Sequence, residues 1–190
     1  MSIHSVVGIS GNFISGKYYI AGVGGSRGAI VAFTYAKDEL YAVPFFTPVP
    51  ISIDKIAVYV TGTKEAYMVL GIYENTSMSN LYPSSLLLSS SEIHVPASSA
   101  GLYEDTISGS LEAGKLYWFA FTATTASNAV RAIPSESAWS PFGPKVGSTL
   151  NNLARFWSVS RVYDSTLPNS FTAGGAMEHG STPAIGVRIV

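Results

Sequence analysis

The residues best able to do chemistry in this chain are few and stand apart from one another. The run Gly22-Val23-Gly24-Gly25-Ser26-Arg27-Gly28 comes nearest to a phosphate cradle. A dinucleotide fingerprint would need glycine three positions after Gly24, where Arg27 stands, and a helix whose N-terminus meets the phosphates. No amphipathic helix follows and no Gly-Lys-Ser/Thr occurs, so the run reads as a flexible hinge. His4, His94 and His179 are each isolated, apart from the neighbours Glu178-His179, and adjacent residues on a strand point to opposite faces. Cysteine is absent, which removes disulfides, thiolate metal sites and a thiol nucleophile.

Serine is abundant, but no Gly-x-Ser-x-Gly elbow sets one apart. Glu104-Asp105 and Asp38-Glu39 could lend oxygens to Ca²⁺, although most such pairs are simply solvated. Paired glycosidase carboxylates are defined by spatial rather than sequence spacing, and only 12 acidic residues are available to form them. Asn75-Thr76-Ser77 matches the glycosylation sequon, which has meaning only in a eukaryotic secretory protein. The expectation is therefore no catalytic residue, no cofactor-binding residue, no metal ligand and no enzyme activity. Flat aromatics near loops are the remaining candidates: Trp139, Trp157, Tyr82 and Tyr103 could stack on a sugar ring, with Trp139 the foremost for a glycan contact. Ordinary packing is the competing reading for all four.

The composition supports a role in contact rather than chemistry. The chain has 190 residues, enough for one domain with a real core. Charged residues make up 12% of it, about half the usual ~25%. The net charge of −1 gives no basic field for nucleic acid and no acidic tail. A surface covered largely by Ser, Thr, Gly and Ala repels itself weakly, which suits a protein held in a larger assembly. Residues 1–20 lack a basic start and a continuous apolar run, so they do not read as a signal peptide. No run of 18 or more apolar residues suggests a membrane span.

The elements that must position these residues are strands. Tyr, Phe, Val, Ile and Thr dominate short runs separated by Gly, Pro, Ser and Asn. Strands are predicted over 17–22, 29–36, 40–47, 55–62, 66–74, 85–89, 104–108, 115–124, 128–133, 155–163 and 184–190. This pattern implies an all-β chain, a jelly-roll-like antiparallel β-sandwich. Ile51 and Ile53 share one alternation phase, whereas Ile56, Val58 and Val60 share the other, so a turn or bulge is expected at Asp54-Lys55. Pro44, Pro48 and Pro50 belong on an edge or a crossing segment. The clean alternation of Ile185, Val187 and Ile189 predicts a terminal strand paired inside a sheet.

Two regions fall outside that pattern. Residues 1–28 carry Val6, Ile9, Phe13, Ile14, Tyr18 and Tyr19 among glycines and small residues, and read as an arm that docks on something; residues 29–190 form the sandwich domain. Residues 134–154, with Pro134, Pro141, Gly143, Pro144 and Gly147 around Trp139 and Phe142, read as a long structured loop. Within the domain, Leu116-Tyr117-Trp118-Phe119-Ala120-Phe121 is apolar on both faces. Leu116, Trp118 and Ala120 share one face and Tyr117, Phe119 and Phe121 the other. One face can be core; the second needs separate cover. The expectation is that Trp118 looks into the core. Tyr117, Phe119 and Phe121 are then covered by the arm, by a partner subunit, or by a loop of the same chain such as 134–154.

The order of several motifs resembles a jelly-roll module of tailed-phage virion proteins. The resemblance runs through Tyr41-Ala42-Val43-Pro44-Phe45-Phe46, Ile53-Asp54-Lys55-Ile56-Ala57-Val58, Leu70-Gly71-Ile72-Tyr73-Glu74 and Pro83-Ser84-Ser85-Leu86-Leu87. It continues through Thr106-Ile107, Leu111-Glu112-Ala113-Gly114-Lys115-Leu116-Tyr117-Trp118, Arg131-Ala132-Ile133 and Pro183-Ala184-Ile185-Gly186-Val187-Arg188, and so spans roughly residues 35–190. It implies a virion surface protein, often trimeric: a capsid decoration or cement protein, a head fibre or part of a tail fibre. It carries over no catalytic residue. With only a short arm before the module and no shaft repeat, decoration is the leading expectation. The implied partners are further copies of the chain, as a homotrimer, and the major capsid protein or a tail component; nucleic acid and membrane are not expected. The alternative is a receptor-binding module that recognises host glycan through loop aromatics such as Trp139.

Overall fold

The computed structural model describes residues 13–21, 30–135, 140–142 and 154–190, and these are β-structure joined by turns and loops. The strands are β1 (Tyr18–Ile20), β2 (Val31–Tyr35), β3 (Glu39–Thr47), β4 (Ile51–Val60), β5 (Ala66–Ser77), β6 (Asn80–Ser89) and β7 (Ile93–Val95). They continue with β8 (Gly101–Leu111), β9 (Lys115–Ala123), β10 (Asn128–Ile133), β11 (Phe156–Ser160), β12 (Ala176–Glu178), β13 (Thr182–Pro183) and β14 (Ile185–Ile189). Every predicted strand has a counterpart here. The unanticipated β7, β12 and β13 have two or three residues each, too few to show an alternation.

Two antiparallel sheets pack face to face as a β-sandwich. In the first, β4 pairs with β14 on one edge and with β8 on the other, and β1 pairs with the far side of β14. The order there is β1-β14-β4-β8, and β10 joins the end of β4 through Val130 and Val60 and carries β2 and β13. The second sheet runs β12-β11-β3-β9-β5-β6, with β7 also on β5. The core between them takes Tyr19, Ile53, Ile56, Val58, Val187 and Ile189 from the first sheet. The second sheet supplies Val43, Phe45, Met68, Leu70 and Ile72 to it.

Local rules account for several details. The expected phase slip in β4 is a register shift against β8 between Ile53 and Lys55, which lets Ile53 and Ile56 both face the core. Pro44 sits where β3 pairs with β9 alone, because β11 reaches only as far as Ala42; its missing N–H therefore falls on an open edge. Pro48 and Pro50 lie in the segment that crosses from the second sheet to the first. β14 lies between β1 and β4, inside the sheet.

The boundary expected at residue 28 needs correction. Tyr18, Tyr19 and Ile20 pair with Arg188, Val187 and Gly186, and Tyr19 and Ala21 are buried. Phe13 packs edge-on against Tyr19, with ring centroids 4.8 Å apart. Residues 13–21 thus belong to the sandwich and not to a separate arm. The earlier arm residues, Val6 and Ile9 among them, lie outside the described residues.

Candidate functional site

Strand β9 is apolar on both faces, as its sequence says, but the faces are assigned opposite to expectation. Tyr117, Phe119 and Phe121 point into the space between the sheets. Phe119 stacks on Phe45 at 4.5 Å, and Phe121 stacks on Tyr41 at 5.0 Å and meets Tyr35 edge-on. The Tyr117 hydroxyl accepts a hydrogen bond from the Glu112 backbone N–H at 2.9 Å. These three residues offer no surface to an arm or a partner.

Trp118 therefore lies on the outer face of the second sheet, in a second apolar cluster with Leu40, Ala42, Val69, Tyr73 and Leu116. Its cover comes from the same chain. Leu167 and Phe171, in the segment after β11, sit over the cluster, and Phe142 stacks on Trp118 with ring centroids 5.8 Å apart. Polar groups pin this cover. Tyr73 donates to the Pro168 carbonyl at 2.8 Å, and Tyr82 donates to the Thr172 carbonyl at 2.6 Å. Backbone bonds from Leu86 to Asn169 and from Phe171 to Ser84 tie it to the edge of β6. Gly71 allows the close approach: a Cβ there would stand 2.3 Å from Leu167 Cδ1. Phe142 belongs to the loop singled out in the sequence, whereas Leu167 and Phe171 were not anticipated. Two apolar side chains in a polar stretch carry no periodic signal.

The remaining candidates disperse. Ile14 is 52% exposed, whereas Tyr18 donates a hydrogen bond to Glu104. Trp139 lies outside the described residues. Tyr82 packs edge-on against Trp157 at 4.8 Å, and the Trp157 indole N–H donates to the Leu81 carbonyl at 2.9 Å. Tyr103 donates to the Ser99 carbonyl at 2.8 Å. His94 contacts Glu65 at 2.8 Å and stacks on Tyr67; the His179 carbonyl accepts from Arg155. Glu104 takes Lys55, and Asp105 accepts from the Ser91 N–H at 2.6 Å. Asp38 accepts from the Tyr163 N–H at 3.0 Å, and Glu39 from Ser160 at 2.8 Å. Among the described residues no three His, Cys, Asp or Glu side chains gather where a metal ion could be held.

The described residues do form a groove on the outer face of the first sheet, with a volume of about 310 Å³. The small residues Ala57, Ala184 and Gly186 leave the space, and Ile20, Ile30 and Leu102 border it with apolar side chains. Ile30 and Leu102 are both exposed. Tyr18, Tyr59 and Arg131 complete the lining. Beside it runs a polar array across four strands: Tyr18 of β1, Asp54 and Lys55 of β4, Glu104 of β8 and Arg188 of β14. Lys55 and Tyr18 both bond Glu104 and hold its carboxyl below the usual carboxylate range. Arg188 forks onto Asp54 with the same effect, and burial together with the Glu104 bond pushes the Tyr18 phenol up.

Arg131 differs from these cations. Its guanidinium carbon lies 4.1 Å from the centre of the Tyr59 ring. Among the described residues no carboxylate pairs with it and no acceptor oxygen meets its side-chain N–H groups, whereas Lys55, Arg161 and Arg188 each hold a carboxylate. Compared with known proteins, the chain matches no family model and no curated protein.

Proposed function

We propose that the sandwich is a jelly roll and that the chain is a non-enzymatic structural protein of a tailed-phage virion surface. In this reading it is a decoration or cement protein acting through contacts between copies and with the shell. The observation that carries the fold reading is the strand order. β1-β14-β4-β8 faces β3-β9-β5-β6, and these eight strands, taken in chain order, lie in the first, second, first, second, second, first, second and first sheet, with β2, β7 and β10 to β13 added around them. Two Greek keys wound together produce that order, which viral capsid and lectin jelly rolls share. The functional step rests on the resemblance of residues 35–190 to virion modules and on the sparse charge.

The mechanism is mechanical. Contacts across junctions between capsid subunits would oppose their separation under internal pressure. Because Tyr117, Phe119 and Phe121 lie inside, the contacts must come from the weakly charged outer surface and from residues 1–12, with Val6 and Ile9. Sedimentation velocity on the full chain, and on a chain lacking residues 1–12, tests this reading. A homotrimer of the full chain at tens of micromolar is expected. A monodisperse monomer in both samples would remove the assembly role.

A further inference from the structure

We propose that the groove on the outer face of the first sheet binds a small amphipathic monocarboxylate, its apolar body along Ile20, Ile30 and Leu102 and its carboxylate on Arg131. Three observations converge on this chemistry. The space is concave and bordered mainly by apolar side chains, so an apolar body entering it removes hydrocarbon from water on both sides. Its volume of about 310 Å³ lies at the lower end of the roughly 300–1,000 Å³ of ligand pockets, which sets the ligand as a small one. The one charge bordering it that lacks compensation among the described residues is Arg131.

Charge complementarity selects the head group. The ring face of Tyr59 attracts the guanidinium charge but supplies no acceptor oxygen, so the planar fork of donors keeps its capacity for a carboxylate. The other charged groups nearby do not compete. Glu104 is engaged by Lys55 and Tyr18, and Arg188 by Asp54. An amine-headed ligand would meet Arg131 as a like charge, and a neutral alcohol would forgo the charge-assisted bonds.

The inference is independent of any virion role. Its test is titration of the full chain with octanoate, a small amphipathic monocarboxylate, followed by amide chemical shifts, with octylamine and octanol as controls. Saturable binding is expected, with shifts gathered at Ala57, Tyr59, Leu102 and Gly186. Arg131→Gln should weaken octanoate at least about ten-fold, the loss that accompanies removal of charge-assisted hydrogen bonds. Ile30→Ser, at an exposed rim position, should weaken it with the fold intact, and Ala57→Leu should block it by filling the space. Failure of octanoate to saturate, equal affinity in Arg131→Gln that retains its circular dichroism spectrum, or equal binding of octylamine would each overturn the proposal.

Discussion

Replacing Phe119 by Ala tests which side of β9 faces the core, because the two possible answers predict different losses. The structure places the Phe119 ring fully between the sheets, with 0% of its surface exposed and stacked on Phe45 at 4.5 Å. Truncating a buried Phe to Ala costs about 3–5 kcal/mol, since the lost transfer free energy is joined by a cavity that the neighbours only partly fill. Loss of the stack with Phe45 favours the upper part of that range. For a chain of this size roughly 2–4 °C is lost per kcal/mol, so the melting temperature should fall by roughly 6–20 °C. Thermal unfolding followed by circular dichroism, with the mass read by sedimentation at a temperature where both proteins are folded, separates the effects. Val162→Ser, at a position 77% exposed, is the control and should stay within about 0.5 kcal/mol of the parent. A Phe119→Ala variant that melts with the parent but loses self-association would refute the assignment and return Phe119 to a subunit interface.

Four other outcomes follow from the same structure. Phe171→Ala should destabilise by about 3 kcal/mol and shift tryptophan emission to the red, because Phe171 packs edge-on against Tyr73 and Tyr82 above the Trp118 cluster; unchanged emission and melting would show that the segment does not cover the sheet. Deleting residues 185–190 removes β14 from between β1 and β4 and should leave no soluble folded protein, as judged by circular dichroism and gel filtration. Asp54 and Glu104 have carboxyls held below their ordinary values by Arg188, and by Lys55 with Tyr18. The stability they contribute is therefore present above the ordinary carboxylate value near ~4 and is lost as pH falls through the lowered folded values. Melting temperatures measured from pH 5 down to 2 should fall more steeply in the parent than in the Asp54→Asn/Glu104→Gln variant, and parallel curves would contradict the role of the array. In alkali the sign reverses: burial raises the Tyr35 phenol to about 12, so its contribution is intact below ~10 and declines as pH rises above it.

Much of the fold was legible because β-structure writes itself at short range. Alternation with period two marks β4, β5 and β14, and the change of phase at Asp54-Lys55 announces a bulge before any partner strand is known. Proline places its own constraint through its missing N–H, which is why Pro44, Pro48 and Pro50 are expected on an edge or a crossing segment and why Pro44 lies where β11 no longer reaches β3. The sparse charge and the absence of cysteine are likewise properties of the chain before it folds.

Tertiary structure alone decided which way β9 faces. Leu116, Trp118 and Ala120 are as apolar as Tyr117, Phe119 and Phe121, so alternation is symmetrical there, and inside and outside are defined only by the sheet that packs against the strand. The cover over Trp118 depends on Leu167 and Phe171, distant in sequence and too few to form a pattern; they matter because Gly71 leaves room for one and Tyr73 and Tyr82 meet the other. The groove is likewise invisible in one dimension. It forms because Ala57, Ala184 and Gly186, small residues from separate stretches of chain, come together beneath Ile20, Ile30 and Leu102, and Arg131 acquires meaning there only because no carboxylate among the described residues reaches it. Side-chain type and spacing determine the strands, whereas the neighbour each face receives is a property of the closed chain.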